Sequence, residues 1–248
     1  MIPLRDTIPS FHFPVVTVSL ICVNVLVFLA EINMGPQALE ATFRTWGIVP
    51  VCLTQPGSRF WDVVRACREY PSPPLHYFTL VSSMFLHGGW MHIIGNMWSL
   101  WIFGDNVEDR LGRIGFLLFY LLSGLAAGAV HIATNPGSII PTVGASGAIA
   151  GVMGAYLLLF PHAMVVTLVP IFFFLHVVEL PAVLFLGFWF LTQLFSGTLS
   201  LAAAGAQAGG VAWWAHIGGF VVGCLWAVPL RRRAVVRYRR RRYRHDDW

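Results

Sequence analysis

Charged residues are scarce in this chain of 248 residues, and lysine is absent altogether. Only 11% of the residues are charged, whereas soluble domains carry about 25%. Hydrophobic residues make up 57%, and the mean hydropathy is +0.70. No polar stretch is long enough to form an independent domain of ordinary size. The composition therefore excludes an ordinary soluble protein and predicts a single domain embedded in a membrane.

A cleavage site for a signal peptide is also missing after the first apolar run, near residues 13 to 30. The residues that follow at 31–34 are Glu-Ile-Asn-Met, so we interpret the run as a retained first span. All 16 basic residues are arginine, and nine of them lie between Arg231 and Arg244. Such a block beside an apolar span is typical of a topology and headgroup anchor. We therefore expect membrane lipids as partners and no nucleic acid.

Six apolar segments approach the roughly 20 residues that a membrane-crossing helix needs. They predict an all-α membrane protein, with a six-helix bundle at 13–230 between a cytoplasmic N-terminus at 1–12 and a basic cytoplasmic tail at 231–248. The even number of spans and the arginine tail place both termini in the cytoplasm. The predicted spans lie at approximately 13–31, 88–105, 114–134, 144–160, 178–197 and 211–230.

Two further apolar segments do not fit a span. Residues 75–86 are too short to cross and follow a Pro-Ser-Pro-Pro stretch at 71–74, so we expect them to be embedded in the outer leaflet as part of the first loop. Prolines interrupt residues 161–177, which favours a re-entrant or interfacial piece. In the outer loop, Cys52 and Cys67 are either joined in a disulfide or free, and both alternatives stay open.

Strongly polar side chains in membrane spans are costly, so the few that occur are candidates for function. Ser146 begins the fourth span beside Gly144, where a helix N-terminus with small neighbours suits a nucleophile and an oxyanion. A lone serine in a span more often only packs between helices. His216, however, lies at the same predicted depth near the start of the sixth span. This shared depth favours a nucleophile and its base over two unrelated structural residues.

His92 and Asn96 are four residues apart in the second span and so share one helical face. Their ring and amide donors suit an oxyanion hole, and we place Gly144 with them as a substrate-binding residue. A zinc site is the competing interpretation, but no HExxH motif or nearby carboxylate completes a ligand set. We therefore expect no metal and no cofactor. Since Glu179 is the only carboxylate between residues 141 and 230, and lies at the edge of a span, we expect a Ser–His dyad without a triad acid.

Three motifs resemble the rhomboid family of intramembrane serine proteases. They are His-Gly-Gly-Trp-Met-His-Ile-Ile-Gly-Asn at 87–96, Gly-Ala-Ser-Gly at 144–147 and Ala-His-Ile-Gly-Gly at 215–219. They occur in the family's order on the second, fourth and sixth spans. The resemblance covers roughly residues 75–229.

The resemblance implies an intramembrane endopeptidase whose substrates are transmembrane proteins, cleaved near the outer face. We expect lateral access, with the fifth span and the loop at about 198–210 as gate and cap. The resemblance assigns a catalytic dyad of Ser146 and His216, oxyanion donors at His92 and Asn96, and a structural pair of Glu108 and Arg110.

Two positions depart from the family pattern. Many relatives carry tyrosine four residues after the nucleophile, where this chain has Ala150, and a Trp-Arg pair where Leu75-His76 stands. Neither change removes a reacting group, so a protease is favoured over a non-proteolytic binder or chaperone of membrane helices. A transporter is disfavoured because the polar candidates cluster at the outer end. The all-arginine complement favours a prokaryotic plasma membrane, and the oligomeric state stays open.

Overall fold

The computed structural model describes residues 1–55, 59–68, 70–72, 74–171, 173–202 and 211–245, and for residues 171, 202 and 231–245 it describes the backbone alone. Most of the predicted cap at 198–210 and the side chains of the arginine tail therefore lie outside the described residues. The structure is 68% helical.

The α-helices of the described chain include six long ones at the places of the six predicted spans. In chain order the helices are α1 (Val15–Glu31), α2 (Pro36–Trp46), α3 (Pro50–Thr54), α4 (Trp61–Ala66), α5 (Thr79–Ser82), α6 (Trp90–Leu111), α7 (Arg113–Thr134), α8 (Ser146–Leu159), α9 (Ala182–Ala202) and α10 (Trp213–His245). Short 3-10 turns at Leu75–Phe78 and Ser83–Phe85 flank α5. The strands are β1 (Ile2–Asp6), β2 (Met164–Ile171) and β3 (Phe174–Pro181).

Three of the six long helices are both long and apolar enough to cross a membrane. These are α7, α9 from Ala182 to Leu201, and α10 from Trp213 to Leu230. Helices α1 and α8 are apolar but shorter, with 17 and 14 residues. Helix α6 has 22 residues and carries four charged side chains near its C-terminal end, which make it more polar. Length and apolar character thus support an integral membrane protein.

A small antiparallel sheet is the main departure from the predicted all-α fold. Strands β2 and β3 form a hairpin, and β1 pairs with β2 to give the order β1-β2-β3. The hairpin replaces the re-entrant piece predicted within 161–177, and α9 begins at Ala182 rather than at residue 178. A run of β-branched residues at 165–167, Val-Val-Thr, favours extended backbone here. The all-α prediction was therefore wrong for this part of the chain.

Helix α8 forms the centre of the bundle. Its residues 147–156 are all buried, as expected of a helix that is apolar on every side. On α10, a Cβ atom at Gly219 or Gly223 would overlap the backbone carbonyl of Gly147 or Gly151 on α8. The close approach predicted from these small-residue repeats is confirmed. It brings the N-terminal turns of α8 and α10 together.

Two buried carboxylates attach α1 to the helices around the centre. Glu108 on α6 accepts hydrogen bonds from the N–H groups of Val16 and Thr17 at 2.9 and 2.8 Å, and so satisfies free donors of the first turn of α1. Arg110 donates to the carbonyl of Leu230 at 3.0 Å. At the other end of α1, Glu31 accepts from the N–H of His87 just before α6. These carboxylates therefore support the helix that carries His92 and Asn96.

A disulfide joins Cys52 and Cys67 in the loop between α1 and α6, and their Cα atoms are 5.6 Å apart. This resolves the alternative that the sequence left open. The two cysteines are 15 residues apart, and closing a loop of that length restricts the unfolded chain by about 3 kcal/mol.

Candidate active site

The turn that leads into α8 presents Ser146 at the helix N-terminus. Gly144 has φ +128°, a backbone conformation that side chains disfavour, and its N–H donates to the carbonyl of Ser83 at 2.8 Å. A Cβ atom at Gly144 would lie 2.6 Å from Nε2 of His92. Glycine is thus required both by the turn and by the close approach of His92. As the first residue of α8, Ser146 lies among N–H groups that have no partner within the helix.

Ser146 and His216 are joined by a hydrogen bond. Nε2 of His216 lies 2.8 Å from Oγ of Ser146, and the His216 side chain is buried. His216 stands in the first turn of α10, which begins at Trp213. The two N-terminal turns meet because glycines let α8 and α10 approach closely. The sequence predicted this pair from their shared depth.

The other side of the His216 ring contacts α9. Nδ1 of His216 lies 2.7 Å from Oε1 of Gln193, which is itself buried. The Trp189 ring, one turn earlier on α9, lies 5.9 Å from the His216 ring between centroids, with an angle of 33° between the planes. Ala150 is fully buried on α8. Trp189 on α9 thus contacts the His216 ring. Many relatives are expected to carry a tyrosine at the position of Ala150 on α8.

Sequence reasoning missed Gln193 and Trp189. One signal was present, because Gln193 is the only amide side chain in the predicted fifth span. A strongly polar side chain in a span is a candidate for function by default. Trp189 gave no comparable signal, since aromatic residues are common on lipid-facing helices.

His92 and Asn96 supply donors on the wall facing Ser146. The N–H of Gly88 donates to Nδ1 of His92 at 3.4 Å, which leaves Nε2 to carry the proton of the neutral ring, on the side of Gly144. Asn96 is buried, and among the described residues no acceptor lies within hydrogen-bond distance of its Nδ2. A buried donor without a partner is costly unless a ligand satisfies it. Both residues therefore fit the oxygen of a bound carbonyl.

Most of these side chains line one cavity of about 1190 Å³. The wall of the cavity also includes the loop between α7 and α8. In this loop, Oγ1 of Thr142 lies 2.9 Å from Nε2 of His131, which stands in the last turn of α7. His87 lies behind His92, and burial, with His92 adding to the effect, lowers the pKa of His87 to about 4, so its ring is neutral at pH 7. Among the described residues, no group of three histidine, cysteine or acidic side chains is placed to hold a metal ion. The side chains that line the cavity from the helices include Ser146, His216, His92, Asn96 and Trp189.

The arrangement has the parts that an acyl transfer needs. A hydroxyl is hydrogen-bonded to a buried imidazole, which can take its proton. Next to that hydroxyl lie a helix N-terminus and two side-chain donors suited to an oxyanion. Small neighbours leave room for a substrate backbone beside Ser146.

Comparison with known proteins finds a Rhomboid domain in residues 74–233. Rhomboid protein 1, mitochondrial, of Saccharomyces cerevisiae is 30% identical over 168 residues, which are 66% of this chain and 44% of the yeast protein. Rhomboid-like protein 11, chloroplastic, of Arabidopsis thaliana is 35% identical over 128 residues, or 52% of this chain and 39% of the plant protein. The putative rhomboid protease YdcA of Bacillus subtilis is 37% identical over 81 residues, or 33% of this chain and 40% of the bacterial protein. The chain thus spans less than half the length of each of these relatives.

Proposed function

This chain belongs to the rhomboid family, and we propose that it is an intramembrane serine endopeptidase that acts through a dyad of Ser146 and His216. The single observation that carries the proposal is the 2.8 Å hydrogen bond between Oγ of Ser146 and Nε2 of His216 inside a cavity. One relative, YdcA of Bacillus subtilis, is named a putative rhomboid protease, and this supports the proposal.

In the proposed reaction, Oγ of Ser146 attacks a peptide carbonyl carbon while Nε2 of His216 takes the hydroxyl proton. The tetrahedral intermediate then collapses, the C–N bond breaks, and His216 gives the proton to the leaving amine. A water molecule attacks the acyl-enzyme ester with His216 again as base. This step releases the carboxylic acid and restores the Ser146 hydroxyl.

The charge on the tetrahedral oxygen would be stabilised by three donors. The N–H of Ser146 belongs to the helix N-terminus, and Nδ2 of Asn96 and Nε2 of His92 face the same space. Each such donor is worth roughly 3 to 4 kcal/mol of transition-state stabilisation. All three donors belong to residues of α6 and α8 that line the same cavity, so we expect them to meet the oxygen without rearranging.

We further propose that all six long helices cross the membrane, with both termini in the cytoplasm. Helix α8 rises about 21 Å over its 14 residues, against about 30 Å for the hydrocarbon core. If its C-terminal end is level with the inner surface, Ser146 lies roughly 9 Å below the outer surface. The pairing of β1 with β2 supports this topology, since it places the N-terminus on the same side as the α8–α9 connection.

The first loop fits a segment embedded in the outer leaflet. Leu75, Tyr77 and Phe78 are 58%, 62% and 51% exposed, although all three are large and apolar or aromatic. Thr79 and Met84 in the same segment are buried against the bundle. Side chains of this kind stabilise a segment whose outer face contacts lipid rather than water.

Transmembrane segments with small or helix-weakening residues near the outer surface are the proposed substrates. A regular membrane helix hides its carbonyls in its own hydrogen bonds, so a cleavable segment must first open locally. We place the entrance beside α9, because only 28% of its apolar stretch is buried, against 44% for α7 and α10. Less packing makes α9 the easiest of these three helices to displace.

Labelling by a serine-directed fluorophosphonate tests the proposed activity. We expect the native chain to be labelled and to cleave a model transmembrane substrate, and Ser146→Ala to lose both activities while expressing normally. Ser19→Ala is the matched control, because Ser19 is an exposed serine near the start of α1 whose hydroxyl, among the described residues, donates to the Val15 carbonyl. Cleavage by Ser146→Ala at the native rate would exclude the proposed nucleophile. Stable binding of the substrate by the native chain without cleavage would instead support a non-proteolytic binder of membrane helices.

Relatives of this chain are named for different membranes. Those compared above include a mitochondrial, a chloroplastic and a bacterial protein. A prokaryotic plasma membrane therefore remains our proposal for this chain, supported by its arginine tail and by the bacterial relative.

A further inference from the structure

The protons around Gln193 can be assigned from its hydrogen bonds. The hydroxyl of Thr192 donates to the carbonyl of Trp189 at 2.6 Å, so its oxygen is free to accept. The amide nitrogen of Gln193 donates to that oxygen at 3.2 Å. The amide oxygen of Gln193 must then be the atom that faces His216, as the 2.7 Å contact with Nδ1 has it.

This assignment determines the tautomer of His216. An amide oxygen accepts but cannot donate, so Nδ1 of His216 must carry the proton. In the neutral ring, Nε2 then has a free lone pair, and it lies 2.8 Å from the Ser146 hydroxyl. The dyad can act as a base only with this tautomer. Gln193 thus holds the orientation that a carboxylate holds in a triad, although without a charge.

Gln193 belongs to α9, whereas Ser146 and His216 belong to α8 and α10. Trp189 and Gln193 stand one turn apart on α9, and both contact the His216 ring on α10. Outward movement of α9 would remove the acceptor and the ring contact together. Ala150, the small residue on α8, offers no replacement for either contact.

We propose that Gln193 is a positioning residue for His216, and that its place on α9 makes the base competent only while α9 is packed against α10. This rests on the proposed function, in which substrates enter beside α9. Opening the entrance would switch off the nucleophile, and closing it behind a bound substrate would switch it on. Such coupling protects an open site from futile hydrolysis.

The first test separates the positioning of His216 from access to the cavity. The rate of fluorophosphonate labelling measures the reactivity of Ser146 with a small probe, whereas cleavage of a transmembrane substrate also requires entry past α9. We expect Gln193→Leu to lower the labelling rate by about 10- to 100-fold, the size of effect seen when a residue that orients a metal-bound histidine is lost. Gln193→Glu keeps an acceptor at this position and should stay within about threefold of native.

Two further variants keep this test decisive. Gln193→Met replaces Gln193→Leu if the latter does not fold. Thr198→Val is the matched control, because Thr198 lies on the same helix and, within the described part of the chain, its hydroxyl donates to the Phe195 carbonyl. Native labelling by the Leu and Met variants would exclude the positioning role. If the Glu and Leu variants lose the same amount of labelling rate, and their melting midpoints fall in proportion, Gln193 would only contribute packing. If the native chain is not labelled at all, the proposed function itself is overturned.

A reversible clamp tests the coupling to α9. A Cβ atom at Gly197 on α9 would lie 3.3 Å from Cβ of Trp213 on α10, slightly less than the roughly 3.5 to 4.5 Å between the Cβ atoms of disulfide-bonded cysteines. Gly197→Cys with Trp213→Cys, in a chain with Cys22→Ser and Cys224→Ser, should therefore form a clamp. We expect the clamped protein to be labelled as fast as its own reduced form. We expect it to cleave the transmembrane substrate at least about tenfold more slowly than the reduced form.

The native chain with and without reductant controls for the Cys52–Cys67 disulfide, which reduction also opens. Equal cleavage by the clamped and reduced forms would show that α9 does not move during turnover, and would overturn the coupling. Slow labelling of the clamped form would show that packed α9 is not the competent state, and would overturn it as well.

Discussion

At the scale of single residues, the site contains a buried donor, Nδ2 of Asn96, that has no acceptor among the described residues. Burying such a donor without a partner costs stability. The arrangement is understandable if the missing acceptor is a substrate oxygen that becomes negative during the reaction. Stability is then sacrificed for a donor that needs no rearrangement.

Asn96→Ala should lower kcat by about 100- to 1000-fold and leave KM nearly unchanged, because the lost hydrogen bond is strongest in the transition state. Cleavage kinetics with a transmembrane substrate measure both constants. Asn33→Ala is the control, since the Asn33 amide bonds to the Leu29 carbonyl on an exposed surface. A rise in KM with native kcat would mean that Asn96 binds the ground state rather than the oxyanion.

The reacting residues were easier to predict from the sequence than those that hold them. Ser146, His216 and His92 are polar residues beside recognisable small-residue motifs, and depth along a helix is readable from span boundaries. The contact of Gln193 with His216 depends instead on how α9 is rotated against α10, and rotation is set by packing that no local pattern records. The sequence therefore predicts the contact between Ser146 and His216 but not the contact between His216 and Gln193.

At the scale of secondary-structure elements, the contact between α8 and α10 brings Ser146 within hydrogen-bond distance of His216. The two helices meet through glycines whose α-hydrogens face a backbone carbonyl of the neighbouring helix. Small residues that allow such approach are typical of membrane helix pairs. A side chain at these positions would push apart the two helices that carry Ser146 and His216.

Gly223→Ala should therefore destabilise the protein by about 1 to 3 kcal/mol or more, since its Cβ would overlap the Gly151 carbonyl. Gly187→Ala is the matched control, because a Cβ at Gly187 meets no atom within 4 Å. Thermal melting in detergent measures the difference, and fluorophosphonate labelling at a temperature where both variants are folded measures the effect on the dyad. Equal melting of the two variants would mean that α8 and α10 do not need this close contact.

The sheet is the element that the sequence did not predict. An apolar stretch interrupted by prolines was interpreted as part of a membrane segment, but periodicity alone does not distinguish a short buried strand from a helix piece. The partner that decides the matter is β1, more than 150 residues away, whose Ile2 pairs with Leu168. Pairings so distant along the chain leave no local signal.

At the scale of the whole molecule, the site and the sheet lie toward opposite ends of α8. Ser146 is the first residue of this helix, and the connection to β2 follows its last residue, Leu159. In the proposed topology the dyad opens to the outside, whereas the sheet and the N-terminus lie in the cytoplasm. The depth argument for the active site therefore depends on the orientation of the chain, which single-cysteine labelling can measure.

Gly137→Cys should react with a membrane-impermeant maleimide in intact cells, because residue 137 is exposed in the loop just before α8. His162→Cys and Ile2→Cys should react only after permeabilisation, because both residues are exposed and lie in or next to the sheet, which the proposed topology places in the cytoplasm. The parent chain with Cys22→Ser and Cys224→Ser provides the unlabelled background. The opposite pattern would place the dyad at the cytoplasmic face and reverse the proposed topology. Different behaviour of the His162 and Ile2 variants would separate β1 from β2 across the membrane, which the pairing of these strands does not allow.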